Sequence, residues 1–598
     1  MKSFFRTLLA VIIGILLTSI IGFILLFGII GAIGTSFSSD KSSTTIPSKA
    51  VLTLDMSTIS LAEQTQEADI MASLQSFENP TDIIGIYDAV SAIEKAAIDP
   101  AIKYIYMKPD GAAGGIADME EFRGALEHFR TSGKPVISYI ESPTNAGYYL
   151  ASVSDKIYMT PLRGGMVQLT GLSSQLFFLK DILDKLGVNI QLIRHGKYKS
   201  AGEMYIRNSI SDENREQYEE LLGSIWGGWT SQIASSRGIS ADDFNAALDE
   251  LKLVVPEDFI ETKLVDELIS KEELDARLCS LFGVDKVKDI KTVSLAEYAA
   301  AKVTPNYRAK EKIAVIYADG QIMDGQTRQG YIDGDTYARI IKDVRRDSSI
   351  KAVVFRVNSP GGTVLSAEKI KAEIDLLRKE KPVIASFGDY AASGGYWISN
   401  SCDRIFANAG TLTGSIGVFS TIPDFSKTIK DIAHVGVAAV NTNKHSDMYS
   451  VVRPLDNDEK AYMQASVEDI YDRFTGMVAE GRNMTQDAVD EIAQGRVWSG
   501  TDALKIGLVD EIGTLGDALA YAASVANSAA NSNLENWQIV NYPKPKTAVE
   551  EMMEMINGKQ DETIFSGTPL EAAACALSRV SESKPTTFAR LPFEIVIK

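Results

Sequence analysis

Histidine is scarce in this 598-residue chain. Only His128, His195, His434 and His445 occur, and none stands in a context that suggests a catalytic triad. Cysteine is scarcer still. Cys279, Cys402 and Cys575 are odd in number and far apart, so neither a zinc site nor a dense disulfide framework is spelled out. One disulfide is allowed by count and none is expected. Positive charge is short as well: 60 Lys and Arg stand against 79 Asp and Glu, a net charge of −19. A general nucleic-acid binder needs a basic face, so that class is disfavoured. Neither a metal nor a cofactor is expected.

The composition is otherwise that of a globular protein, 45% hydrophobic and 23% charged. The length calls for two or more domains. The N-terminus is distinct. After the basic tip Met1–Arg6, no charge occurs from Leu8 to Ile33, about 26 residues and long enough to span a bilayer. This exceeds the apolar core of a secretory signal, and no clear small-x-small cleavage site follows. A retained single transmembrane anchor over 1–38 is therefore favoured over a cleaved signal. Lys2 and Arg6 would stay cytoplasmic. Residues 39–48 read as a Ser/Thr-rich linker, and the body would lie on the extracytoplasmic side, in the periplasm of a Gram-negative cell.

The body repeats itself. Ile102-Lys103-Tyr104-Ile105-Tyr106 precedes Lys134-Pro135-Val136-Ile137, as Ile350-Lys351-Ala352-Val353-Val354 precedes Lys381-Pro382-Val383-Ile384. Gly147-Tyr148-Tyr149 with Asp155-Lys156-Ile157-Tyr158 matches Gly395-Tyr396-Trp397 with Asp403-Arg404-Ile405-Phe406. Lys263–Leu268 matches Gly507–Ile512. Order and spacing hold over some two hundred residues, which indicates duplicated domains rather than a solenoid. Repeat one is placed at 49–285, a connector with a helix at Thr292–Ala301 fills 286–311, and repeat two is placed at 312–545. The extension 546–598 is less regular and has no assigned place. Strands and helices alternate in each repeat, so the fold class is α/β with parallel sheets under helical cover.

Gly388–Trp397 stands out. It follows the apolar run Lys381–Phe387, which reads as a buried strand, and Tyr396–Ser399 begins a helix. Ser393 thus sits at a strand–helix turn among small residues, which is how a nucleophile is presented beside free N–H groups. The same stretch also reads as a tight turn that needs glycine.

The two copies differ where chemistry would lie. Asn145 occupies the position of Ser393 in repeat one. Matching Arg207 to Arg453 sets Lys199 opposite His445. One repeat therefore has the hydroxyl and the other an amine, as a composite site would require. A buried lysine can serve as a base once its pKa falls. The plainer reading of Lys199 is an exposed lysine in a basic loop with Arg194 and Lys197. Asn358-Ser359-Pro360-Gly361-Gly362-Thr363 suits a turn with outward N–H groups, so Gly362 and Gly394 are candidates for an oxyanion hole. It also reads as an ordinary Pro-Gly turn. In Thr411–Phe419, Ser415 is a candidate to orient the lysine, or simply part of a glycine-rich bend.

Four pieces in order, Asn358–Gly362, Ala392–Tyr396, Gly414–Gly417 and Tyr198–Ala201, resemble the SppA signal peptide peptidase family in its double-length form. The resemblance covers most of the chain, except the tail from about 546. It implies two tandem domains of the ClpP/crotonase superfold, a spiral of βαβ units. It implies a Ser–Lys serine peptidase, with Ser393 as nucleophile, Lys199 as general base and Ser415 as the lysine-orienting hydroxyl. It implies signal peptides and other apolar peptides as substrates, an inner-membrane address, and a bowl-shaped homotetramer. Gly202 departs from the pattern, where a bulkier residue is expected. Two rival readings stand beside it. One is a catalytically inactive, membrane-anchored crotonase-like scaffold. The other is acyl-CoA chemistry on the same superfold, which needs no matched serine and lysine.

Overall fold

The apolar run Ala50–Asp55 and the alternating Ile102–Lys108 form neighbouring parallel strands at the middle of a six-stranded sheet. The computed structural model describes residues 45–66, 81–325, 330–530, 532–544 and 586–591. The segment read as a transmembrane anchor, most of the linker and Cys575 lie outside them. Among the described residues no helix is long and apolar enough to cross a membrane.

In repeat one the sheet order is 267–268, 156–159, 136–140, 102–108, 50–55, 292–294, and every pairing is parallel. Parallel sheets are covered on both faces, which is why the strands read as apolar runs. Repeat two builds the equivalent sheet in the order 497–499, 412–414, 383–392, 350–359, 312–319, 538–542. Its strand Val383–Ala392 splays. The first half pairs Arg404–Ala407 and the second half pairs Leu412–Gly414. The end of the strand stays in the sheet, with Ala391 opposite both Ser359 and Thr413, and Ser393 follows it directly.

The recurring residues have matching roles. Lys134 Nζ donates to the carbonyls of Ala96 and Asp99 at 2.8 and 2.6 Å. Lys381 Nζ donates to those of Val344 and Asp347 at 2.8 and 2.5 Å. Each lysine thus caps the carbonyl end of an earlier helix, Ile86–Ile98 or Gly334–Arg346, across the intervening strand and helix. Tyr148 donates to the Leu264 carbonyl and Tyr396 to the Leu508 carbonyl. The helices Asp212–Arg237 and Asn457–Arg482 are the same length, each started by a side-chain cap, Ser211 or Asp456.

Two segments differ from expectation. The stretch read as a helical connector begins with a strand, Thr292–Ser294, which pairs Val51–Thr53 and closes the edge of the first sheet. Its helix is Leu295–Lys302. The β-branched Thr292 and Val293 match the open edge of Ala50–Asp55, and tertiary pairing overrides the helical signal. The tail also contributes structure: Thr586–Arg590 is a strand.

A third sheet joins everything. Its order is 331–333, 321–323, 361–363, 586–590, 418–424, 189–195. Asn189–His195 of repeat one lies antiparallel to Val418–Asp424 of repeat two, from Val418 opposite His195 to Asp424 opposite Asn189. The apolar core of repeat one also takes in Ala392, Leu412 and Val497 from repeat two. Cys279 and Cys402 are buried and unpaired.

Charge is buried at the same seam. Arg356 has no exposed surface and bonds Glu63 at 2.7 Å and Glu121 at 3.1 Å. An unpaired buried guanidinium would be costly, so these two carboxylates fix repeat one against repeat two. Asp389 accepts from the Ala117 N–H at 2.8 Å, at the start of the helix Ile116–Thr131. Burial and then the nearby Glu63 push its carboxyl up to about 6. Asp118 is raised well above the usual carboxylate range, first by burial and then by Asp389.

Candidate active site

Ser393 follows the strand Val383–Ala392 directly and caps the short helix Gly394–Ser399. Its φ of 55° and ψ of −112° are rare for a residue with a Cβ. The conformation is held from both sides. The Ser393 N–H donates to the Gly414 carbonyl at 2.7 Å, and the Trp397 N–H donates to the Ser393 carbonyl at 2.8 Å. Strain of this kind persists only where the surroundings over-determine it, and it gathers at functional sites.

Lys199 reaches Ser393 through the third sheet. The strand Asn189–His195 ends beside Val418, and a short loop then turns Lys199 inward. Its Nζ lies 2.8 Å from Ser393 Oγ, 2.9 Å from Ser415 Oγ and 3.0 Å from the Ser415 carbonyl oxygen. All three residues are fully buried. Desolvation holds the Lys199 ammonium well below the usual lysine range. The exposed-loop reading of Lys199 is therefore set aside. Arg194, in the strand before that loop, donates to the Lys199 carbonyl at 2.8 Å and pairs with the buried Glu203.

The two candidate oxyanion glycines also converge. A methyl group placed on Gly394 would lie 3.0 Å from the Gly362 nitrogen. Gly361, between Pro360 and Gly362, has a φ of +97°, and a methyl there would fall 2.7 Å from the Gly394 nitrogen. Glycine at 361 and 394 thus leaves room for an atom between the two N–H groups.

The sister positions hold structure instead. Asn145 accepts from the N–H groups of Thr170 and Gly171 and donates to the Gly171 carbonyl, pinning a loop. His445 is partly exposed and bonds Glu459 at 3.0 Å. His445, Asp456 and Glu459 are near enough to one another to hold a cation, but Arg453 already bonds Glu459 at 2.7 Å and supplies the positive charge. Gly202, the departure from the family pattern, has a local cause: a methyl there would press within 2.4 Å of Leu192.

Sequence reasoning missed the loop Gln494-Gly495-Arg496. The Tyr198 N–H donates to the Gln494 carbonyl, the Gly495 N–H to that of Ile416, and the Ser415 N–H to that of Arg496, at 2.9, 2.8 and 2.7 Å. Gly495 has a φ of +80°, and a methyl there would lie 2.6 Å from both the nitrogen and the Cβ of Lys199. This loop of repeat two clamps the lysine of repeat one. The available signal was weak, a single glycine just before the strand Val497–Ser499.

The chain is similar to known proteases over most of its length. The model of peptidase family S49 matches residues 128–285 and 375–529, the first region holding Lys199 and the second Ser393. Protease 4 of Haemophilus influenzae is 35% identical over 535 residues, covering 87% of this chain and 85% of that protein. Protease 4 of Salmonella typhi is 37% identical, covering 79% and 76%. The chloroplastic serine protease SPPA of Arabidopsis thaliana is 32% identical, covering 77% and 68%. A ClpP1 mutant from Listeria monocytogenes shows a slight structural likeness, with 14% identity and a TM-score of 0.24 over 34% of this chain and 94% of that one.

Proposed function

The chain belongs to peptidase family S49 and is a serine peptidase, and from that premise we propose that it cuts extended apolar peptides with a Ser393–Lys199 dyad. One observation carries the reading: Lys199 Nζ stands 2.8 Å from Ser393 Oγ with both groups shut away from water. A neutral lysine has two N–H bonds and one lone pair. Its N–H bonds fit the Ser415 hydroxyl and carbonyl oxygens, which leaves the lone pair for the Ser393 hydroxyl. Lys199 then takes the proton as Oγ attacks the scissile carbonyl. The Gly362 and Gly394 N–H groups hold the developing oxyanion. The lysine returns the proton to the leaving amine and activates the water that frees the acyl group.

Signal peptides left in a membrane are the substrate class of choice, because their remnant is largely an apolar segment. The uncharged stretch Leu8–Ile33 would hold the enzyme beside them, with the body on the periplasmic side of the inner membrane. Tethering raises the effective concentration of such peptides. A homotetramer is the proposed assembly. The inactive-scaffold reading has no use for a buried amine in contact with a strained serine.

The test uses the full chain and a fluorogenic apolar peptide. Ser393→Ala and Lys199→Ala should each lower kcat/KM by at least about 10³-fold with circular dichroism and Tm unchanged. Wild-type turnover in both variants would reject the dyad.

A further inference from the structure

His195 ends the strand Asn189–His195, just before the loop that carries Lys199, and the dyad gives it no task. Its ring stacks on Tyr471 of the helix Asn457–Arg482, with centroids 3.7 Å apart and planes 20° from parallel. Its Nδ1 bonds the carboxylate of Glu468 on the same helix. An imidazole of repeat one is thus seated on a tyrosine of repeat two.

Tyr471 is buried, and its hydroxyl meets the loop that clamps Lys199. The hydroxyl donates to Asp490, on the helix Gln486–Ile492. It accepts from the Gln494 backbone N–H and from Gln494 Nε2, both at 3.3 Å. Gln494 Nε2 also donates to Asp490, at 2.6 Å. Gln494 has a φ of 52°, which is uncommon for a residue with a Cβ, and these bonds hold it there. Burial, and then Asp490, push the Tyr471 phenol above its usual range, so it stays a donor. The contacts continue to the lysine. The Gln494 carbonyl accepts from the Tyr198 N–H at 2.9 Å. A methyl group placed on Gly196 would fall 2.4 Å from that same oxygen. Two links therefore join the Tyr471 hydroxyl to the backbone beside Lys199: Tyr471 to Gln494, and Gln494 to Tyr198.

We propose that Tyr471 is a positioning residue for Lys199: braced by the His195 ring on its face and by Asp490 at its hydroxyl, it fixes the Gln494–Gly495 loop, and that loop fixes where the amine stands. This rests on the dyad reading above. The lysine stem is long and flexible, so its amine is placed only as well as its backbone is held. Tyr471 holds that backbone from two directions. The His195 stack steadies the strand that leads into the loop of Lys199, and the hydroxyl steadies the loop that presses on it. A misplacement of about 1 Å can cost about 10²-fold in rate, so a tyrosine that never meets substrate still bears on the chemical step.

Kinetics of the full chain on a fluorogenic apolar peptide, followed against pH, test this. Tyr471→Phe keeps the ring and its stack but removes the hydroxyl. Its kcat should fall about tenfold with KM nearly unchanged. The midpoint of its rising pH limb should move up, because a loosened loop lets water reach the amine. Asp490→Ala reads the same link from the other side and should show the same loss and the same shift. Asp490→Asn keeps an oxygen that accepts from Tyr471 and should recover most of that loss. Tyr148→Phe is the control, since it removes another buried hydroxyl bond, to the Leu264 carbonyl of repeat one; it should keep kcat and midpoint. Wild-type kcat and midpoint in Tyr471→Phe, with Lys199→Ala inactive, would overturn the inference and leave the dyad standing. A loss of kcat with an unmoved midpoint, or an equal loss in Tyr148→Phe, would mark plain structural damage and overturn it too. Wild-type turnover in Lys199→Ala would overturn both the dyad and the inference.

Discussion

Lys199 Nζ and Ser393 Oγ lie 2.8 Å apart although 194 residues separate them along the chain. Two links across the seam bring them together. One is the antiparallel pairing of Asn189–His195 with Val418–Asp424. The other is the loop at Gly495, which presses on the lysine backbone. Both groups belong to one chain, so a single protomer holds the complete pair.

The amine must be neutral to accept the serine proton. Below its pKa Lys199 is an ammonium and cannot do so; above it the base is ready. Because burial lowers that pKa, kcat/KM should rise with pH and level off well short of lysine's usual value of about 10.4. Lys199→Arg, which stays protonated, should lose the rising limb and at least about 10³-fold in rate. A profile that rises only above pH 10 would contradict this.

Ser415 gives Lys199 two of its three contacts, and its side chain is one of them. Ser415→Ala should reduce kcat by roughly 10–10²-fold, in the range of lost positioning, with KM nearly unchanged. The pH profile separates positioning from plain structural damage. Its midpoint should move in Ser415→Ala, whereas a merely destabilised protein would keep the midpoint and lose amplitude.

Gly495→Ala should injure catalysis from outside the reacting atoms. Its methyl would sit 2.6 Å from the Lys199 backbone nitrogen, so the lysine must shift. We expect a fall in kcat of about 10²-fold. Gly507→Ala is the control, since Gly507 has the same φ of +80° with nothing within 4 Å of the added methyl. It should cost about 1 kcal/mol in stability and leave kcat alone. Equal kcat losses in the two variants would remove the clamp.

The seam between the repeats should respond to pH through Asp118. Its folded pKa is raised, so its contribution to stability is full below the unfolded value and is lost as pH rises through the folded one. One of its oxygens is buried without a partner. Asp118→Asn should therefore stabilise the protein above neutrality, by about 1–3 kcal/mol, and have little effect near pH 4. Thermal melts at pH 4 and pH 8 measure the difference. A larger gain at pH 4 would have the wrong sign.

Much of this site was legible because its pieces are local. An apolar strand, a run of small residues and a helix start place Ser393 at a turn whatever the rest of the chain does. Lys199 was legible by subtraction, since each copy lacks what the other keeps. The Lys-Pro pairs and the tyrosines that mark the repeats recur because each performs the same bond twice. Arg356 was not legible. Nothing near it in sequence announces Glu63 or Glu121, and only the packed seam brings those carboxylates to it.

The sequence alone determined the duplication and the parallel α/β plan, and it singled out the serine, the lysine and the paired glycines as candidates. Tertiary structure alone decided that Thr292–Ser294 is an edge strand, that Gly495 clamps Lys199 and that Ala589 faces Gly362. The reason is physical. Helices and turns are set by residues a few positions apart, whereas the bonding edge of a strand presents the same N–H and C=O groups in any sequence. Which strand fills an edge depends on what folding brings alongside it, and composition carries no record of that neighbour.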